Sequence, residues 1–229
     1  MSDAGRPRPT SSPIEVRTQD ASGTRALAAR LATCLRPGDM IVLDGPLGAG
    51  KTTFTQGLGE ALGVRGPVAS PTFVIARVHP NLRGGPELVH VDAYRLGDVF
   101  DIDDLDLDSD LDQAITVVEW GRDLVEHLTD SHLLIELRRP GAGESPAGAD
   151  DAAGGAESAD PADGTEEPRS LRVLPVGPRW DDAAVSALAD ALTGPPAPGI
   201  PAGSPSRSTV DDGTATETGP GDGTAGGDR

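Results

Sequence analysis

Lysine is almost absent from this chain of 229 residues: Lys51 is the only one, and every other basic residue except the four histidines is an arginine. No Asn-Lys-x-Asp guanine-reading motif can therefore exist, which sets aside a GTP-dependent switch protein. Cysteine is equally scarce. Cys34 alone cannot form an internal disulfide, and its place in the apolar-periodic stretch Ala26 to Leu35 leads us to expect a buried, inert thiol. No hydrophobic signal region opens the sequence, and no apolar run approaches the ~20 residues a membrane span needs. A cytoplasmic protein with no membrane association is expected. His79, His90, His127 and His132 lack metal-ligand spacing, which argues against zinc, and no internal repeat is detectable.

The chain also lacks a broad basic surface. Its formal net charge is −18, but the acidity is local. Segment 141–168 carries eight acidic residues and no basic one, and seven aspartates fall between Asp101 and Asp112. The rest of the folded part is close to neutral. This argues against gripping nucleic acid through an extended cationic face, and solvation is the plain role of the acidic tracts. Residues 1–13, 141–168 and 194–229 are dominated by Pro, Gly, Ala, Ser, Thr, Asp and Glu. They cannot bury enough apolar surface to offset chain entropy, so they read as a disordered arm, insert and tail around one domain spanning 14–193.

Against this background the single lysine stands in Gly45-Pro46-Leu47-Gly48-Ala49-Gly50-Lys51-Thr52, a complete G-x-x-x-x-G-K-T loop. In an arginine-biased chain, a retained ammonium points to a site where guanidinium does not fit. A compact point charge can enter a nest of backbone N–H groups and reach β- and γ-phosphates. The glycines allow close backbone approach, Thr52 offers a hydroxyl to Mg²⁺, and the following helix directs its positive dipole end at the phosphates. The context agrees. Met40-Ile41-Val42-Leu43 reads as the preceding strand, and Phe54, Leu58, Ala61 and Leu62 give the following helix one apolar face that stops at Gly63.

The rest of the core reads as α/β. Ile14 to Arg17 is a short strand, and a helix follows from an N-cap at Ser22 to about Leu35, with Leu27, Arg30, Leu31 and Cys34 on one side. Strands are expected at Phe73–Val78, Leu88–Val91, Ile115–Val118, Leu133–Leu137 and Leu171–Val176, and a last helix over 181–192 presents Val185, Leu188, Ala189 and Leu192. The acidic insert then joins two paired strands. Two strands end in an acid, Asp92 and Glu119, at the carboxyl edge where open α/β sheets bind ligands. Phosphoryl transfer needs a metal and a group that orients the nucleophile, and the two acids with Thr52 meet both needs. Which acid does which is left open.

The ordered set GPLGAGKTTFTQGLGEALG (45–63), SPTF (70–73), VDAYRL (91–96) and VVEWG (117–121) resembles the bacterial TsaE family, ATPases of tRNA threonylcarbamoyladenosine biosynthesis. The resemblance implies a small, three-layer P-loop fold with a mixed sheet, weak ATP hydrolysis, and action with TsaB and TsaD on the adenosine beside the anticodon of ANN-decoding tRNAs, the tRNA being met mainly through the complex. It assigns Gly45, Leu47, Gly48, Ala49, Gly50, Lys51, Thr52 and Thr72 to ATP, and Thr52, Glu119 and Asp92 to Mg²⁺. Lys51, Asp92 and Glu119 become the catalytic set. Ser70-Pro71-Thr72 matches a switch-like segment that senses the γ-phosphate. Trp120 matches the tryptophan after the glutamate, with core packing as its plainer role. Pro46 departs from relatives that often carry an acid there, and its ring removes one N–H. A small-molecule kinase with a lid of paired arginines, for which Arg138-Arg139 is the sole adjacent pair in the core, and a non-catalytic nucleotide sensor remain as alternatives.

Overall fold

Strands buried on both faces read as continuous apolar runs, whereas edge strands alternate, and this contrast orders the sheet. The computed structural model describes residues 10–96, 102, 111–139 and 167–195. Its strands are β1 (Ile14–Thr18), β2 (Met40–Asp44), β3 (Ala76–His79), β4 (Glu87–Asp92), β5 (Ala114–Glu119), β6 (His132–Arg138) and β7 (Arg169–Val176). They form one sheet in the order β1-β7-β6-β2-β5-β4-β3. The almost wholly buried β2 and β5 lie inside it; β6-β2-β5-β4 run parallel, while β7, β1 and β3 add antiparallel edges. A mixed, three-layer α/β sheet fold is what the sequence led us to expect.

Helices α1 (Ala21–Ala32), α2 (Lys51–Leu62) and α3 (Asp182–Thr193) cover one face. Leu27, Leu31, Phe54, Leu58, Leu188 and Leu192 join Ile41, Leu43, Val117 and Ile135 in that core. Each such buried side chain contributes roughly 1.5–3 kcal/mol relative to exposure. The opposite face buries Val42, Val91 and Val118 beneath Ile102, Val125 and the partly buried Leu111, Leu124 and Leu128. Among the described residues, no helix is long and apolar enough to cross a membrane.

Several local expectations shift. The N-cap of α1 is Asp20, whose carboxylate accepts the Gly23 N–H at 2.6 Å, and Ser22 lies inside the first turn. The helix ends three residues early, because Thr33, Cys34 and Leu35 donate to carbonyls three residues back and tighten the last turn. Cys34 is consequently half-buried rather than buried. On α2, Ala61 is exposed and the buried face includes Thr55, Gly57 and Gly59 instead. A Cβ on Gly57 would stand 2.5 Å from the Arg25 Cα and carbonyl oxygen, so the backbones of α1 and α2 meet there. The largest shift is at β3, which starts at Ala76. Val74 and Ile75 both donate to the Pro71 carbonyl, and Ile75 takes φ 66°, so Ser70–Ile75 is a turn that leaves Phe73 85% exposed.

The sequence-expected insert does connect paired strands, since β6 and β7 are in register from His132↔Val176 to Arg138↔Ser170. The expected disorder of the arm, insert and tail concerns residues almost wholly outside the described ones, as does most of the aspartate-rich stretch.

Candidate functional site

Parallel pairing brings the carboxyl ends of β2, β4, β5 and β6 to one edge, and the phosphate loop leaves from β2 in their midst. Its glycines are needed sterically. A Cβ on Gly45 would run into the Leu137 carbonyl oxygen, and Gly50, at φ 101°, caps α2 in the left-handed region without any side-chain bond. The first amides of α2 therefore have no side-chain acceptor at the cap and face the loop, as an anion site requires. Ala49 is buried within the loop and Leu47 projects from it, 88% exposed.

Lys51 curls back into that loop. Its Nζ donates to the carbonyls of Gly45 at 2.7 Å and Pro46 at 3.1 Å and lies 3.5 Å from the centroid of the Trp120 ring. Burial pushes its pKa down to about 8; Glu119, Asp44 and Asp92 pull it upward, and Arg138 adds a smaller downward push. The ammonium is thus still charged near pH 7 but poorly solvated, a state in which phosphate oxygens are strong competitors for its protons. Trp120 takes φ 62°, an uncommon backbone for a bulky residue, while its N–H stays on the Leu43 carbonyl at 3.0 Å. It is partly buried against the second core, as expected, and also covers the ammonium and tilts against Tyr94 at 5.2 Å.

The two acids are neighbours, because β4 and β5 pair with Asp92 opposite Glu119. Their surroundings differ. Glu119 receives the Thr52 hydroxyl at 3.0 and 3.1 Å on its two oxygens, and His90 Nε2 lies 2.8 Å from Oε1. Asp92 Oδ2 receives the hydroxyls of Ser70 at 3.1 Å and Thr72 at 2.5 Å, while Oδ1 accepts the Tyr94 N–H at 3.0 Å. Glu119 is therefore tied to the phosphate loop and Asp92 to the turn at 70–75. Lys51, Thr52, Glu119, Asp92 and Thr72 all gather at one edge.

Sequence reasoning passed over His90. It stands two residues before Asp92 on the same strand, so the pleat puts both side chains on one face, and that spacing was the available signal. Arg138 and Arg139 do not form a lid. At the end of β6, Arg138 bonds the Leu137 carbonyl and reaches Asp44 at 3.5 Å, and Arg139 reaches Glu167 at 3.5 Å.

Comparison with known proteins gives the family. Residues 18–145 match the family described as Threonylcarbamoyl adenosine biosynthesis protein TsaE. A Streptomyces coelicolor protein named tRNA threonylcarbamoyladenosine biosynthesis protein TsaE is 51% identical over 166 residues, which is 72% of this chain and 99% of that protein. A Bacillus subtilis protein of the same name is 40% identical over 129 residues, 56% of this chain and 79% of that one. The crystal structure of Bacillus subtilis YdiB superposes with a TM-score of 0.54 at 28% identity, covering 77% of this chain and 94% of the other. The family match takes in the phosphate loop, both acids and the 70–75 turn, and the chain belongs to the TsaE family.

Proposed function

We propose that this chain binds ATP with Mg²⁺ at the phosphate loop and hydrolyses it, as the ATP-driven component of adenosine threonylcarbamoylation in tRNA. It acts in the cytoplasm with TsaB and TsaD homologues, on the adenosine next to the anticodon of ANN-decoding tRNAs. Family membership and the names of the relatives support the tRNA role. One observation carries the ATPase: the Thr52 hydroxyl, in the helix turn that follows the loop, sits on both oxygens of Glu119.

That donor set suits Mg²⁺. Thr52 Oγ1 and Glu119 would hold it, with Asp92 alongside, and oxygen-only donors few in number are what an ion retaining waters and substrate phosphates uses. Among the described residues no three His, Cys, Asp or Glu side chains gather as a resident metal centre would require. When bound, the ion neutralises charge on the β- and γ-phosphate oxygens.

The protein's own groups do the remainder. Lys51 exchanges the Gly45 and Pro46 carbonyls for phosphate oxygens, and the loop amides with the α2 N-terminus hold the same anion. His90 keeps Glu119 Oε1 oriented so that the carboxylate faces the loop. Asp92 holds the 70–75 turn, which brings the Thr72 hydroxyl to the γ-phosphate side. Exposed Leu47, Phe73, Val74 and Tyr94 rim this edge, an apolar border that suits a protein partner. Until such a partner excludes water, turnover stays weak.

The test is ATP turnover and tRNA threonylcarbamoylation followed in one reaction containing TsaB and TsaD. Modification should need both this chain and hydrolysable ATP, and Glu119→Gln should bind ATP yet support neither. Modification that proceeds equally well without the chain, or with the variant, would sink the proposal.

A further inference from the structure

The two flanks of the phosphate loop carry opposite charge. β5 and β4 supply the carboxylates Glu119 and Asp92 on one side of β2, while the ends of β6 and β7 supply Arg139 and Arg169 on the other. Both guanidinium groups press on the loop. Arg139 Nη2 lies 3.1 Å from where a Cβ on Gly48 would stand, and Arg169 Nε lies 3.5 Å from the same point on Gly50. No side chain larger than hydrogen separates these cations from the backbone that would cradle a phosphate.

Both arginines share one acidic partner, Glu167. Its Oε2 lies 3.0 Å from Arg169 Nη2 and 3.5 Å from Arg139 Nη2, and its carbonyl accepts from Arg169 Nη1. Arg169 is only 6% exposed, and Arg139 Nε is buried without a partner among the described residues. Glu167 is the last acidic residue of segment 141–168. A carboxylate and a phosphate oxygen satisfy the same guanidinium donors, so an anion on the loop and Glu167 compete for them.

We infer that Arg139 and Arg169 form a cationic wall contacting the polyphosphate of a nucleoside di- or triphosphate on the loop flank away from the metal-facing acids. Glu167 is the internal competitor that weakens this contact. The inference rests on the phosphate loop being a nucleotide site. It adds two binding residues and one antagonist, brought together by strand pairing across a connection of about thirty residues.

The experiment is titration with a fluorescent mant-ADP at low and high salt. Glu167→Gln should tighten binding about three- to tenfold, Arg139→Ala should weaken it by a similar factor, and Arg139→Lys should recover part of that loss; all three effects should shrink as salt rises. Glu15→Gln removes an equivalent charge from an exposed carboxylate on edge strand β1, which pairs with Arg172 at 3.5 Å, and should leave affinity unchanged. Wild-type affinity in both Glu167→Gln and Arg139→Ala, or equal tightening by Glu15→Gln, overturns the wall while leaving the loop a nucleotide site. A wild-type chain that gives no mant-ADP binding overturns the nucleotide reading itself, and this inference with it.

Discussion

Replacing Gly57 by alanine sets two known effects against each other at one atom. In an isolated helix the change would favour α2 by about 1 kcal/mol through propensity. Here the new Cβ would lie 2.5 Å from the Cα and carbonyl oxygen of Arg25 and 2.8 Å from its carbonyl carbon. Ordinary contact between carbons is about 3.5–4.0 Å, so α1 and α2 must separate by roughly 1 Å. The opposing atoms are backbone and cannot rotate away. Overpacking typically costs about 1–3 kcal/mol, and a clash with backbone belongs at the upper end, which leaves a net loss of about 1–2 kcal/mol after the propensity gain. For a domain of this size that lowers Tm by about 2–8 °C. Gly59→Ala is the matched control: it has the same propensity gain, but its Cβ meets the side chains of Val68 at 2.6 Å and Val64 at 3.2 Å, which can shift more easily than backbone. Thermal unfolding followed by circular dichroism should rank wild type above Gly59→Ala above Gly57→Ala. A Gly57→Ala protein as stable as wild type would refute the close helix crossing that positions the start of α2.

Lys51→Ala should weaken ATP binding about ten- to a hundredfold, the scale of a lost charge-assisted bond, and abolish turnover; calorimetric titration showing native affinity would remove it from the site. Asp92→Ala should free the hydroxyls of Ser70 and Thr72 and speed chymotryptic cleavage after Phe73, whereas an unchanged rate would show that the turn does not depend on that carboxylate. His132 and His79 both titrate below their ordinary value of 6.5, chiefly through burial. The unfolded chain therefore takes up protons that the native state resists, so stability is lost as pH falls below about 6.5. Urea midpoints measured between pH 7.5 and 5 should fall more steeply for wild type than for a His79→Asn, His132→Asn double variant. Deleting 141–166 while keeping Glu167 should leave ADP affinity unchanged, because the strand pairing that holds Arg139 and Arg169 lies outside the deletion.

Local chemistry accounts for what was legible in advance. The phosphate loop, its flanking strand and helix, and the two strand-end acids are contiguous patterns whose residue types serve one purpose each. The apolar stretches of the central strands could be read because burial on both faces leaves no alternation to misinterpret. Where a short pattern had two uses, the reading drifted. Phe73-Val74-Ile75 has strand composition, yet the Pro71 carbonyl and the 66° φ of Ile75 turn it outward, and a carboxylate at Asp20 displaced Ser22 as cap. Trp120 gave no sign in the sequence that it would cover an ammonium.

The chain by itself determined the kind of site: one lysine, one Thr52 hydroxyl and glycines where a Cβ cannot fit, because backbone sterics and phosphate chemistry act within a few residues. Only the tertiary structure decided which groups share that site. Strand order and register placed His90 against Glu119, Asp92 over the 70–75 turn, and Arg139 and Arg169 against the loop with Glu167 between them. Apart from the local Glu167–Arg169 pair, those pairings join residues that are distant along the chain or on different strands, and no local pattern encodes a distance that sheet hydrogen bonding sets.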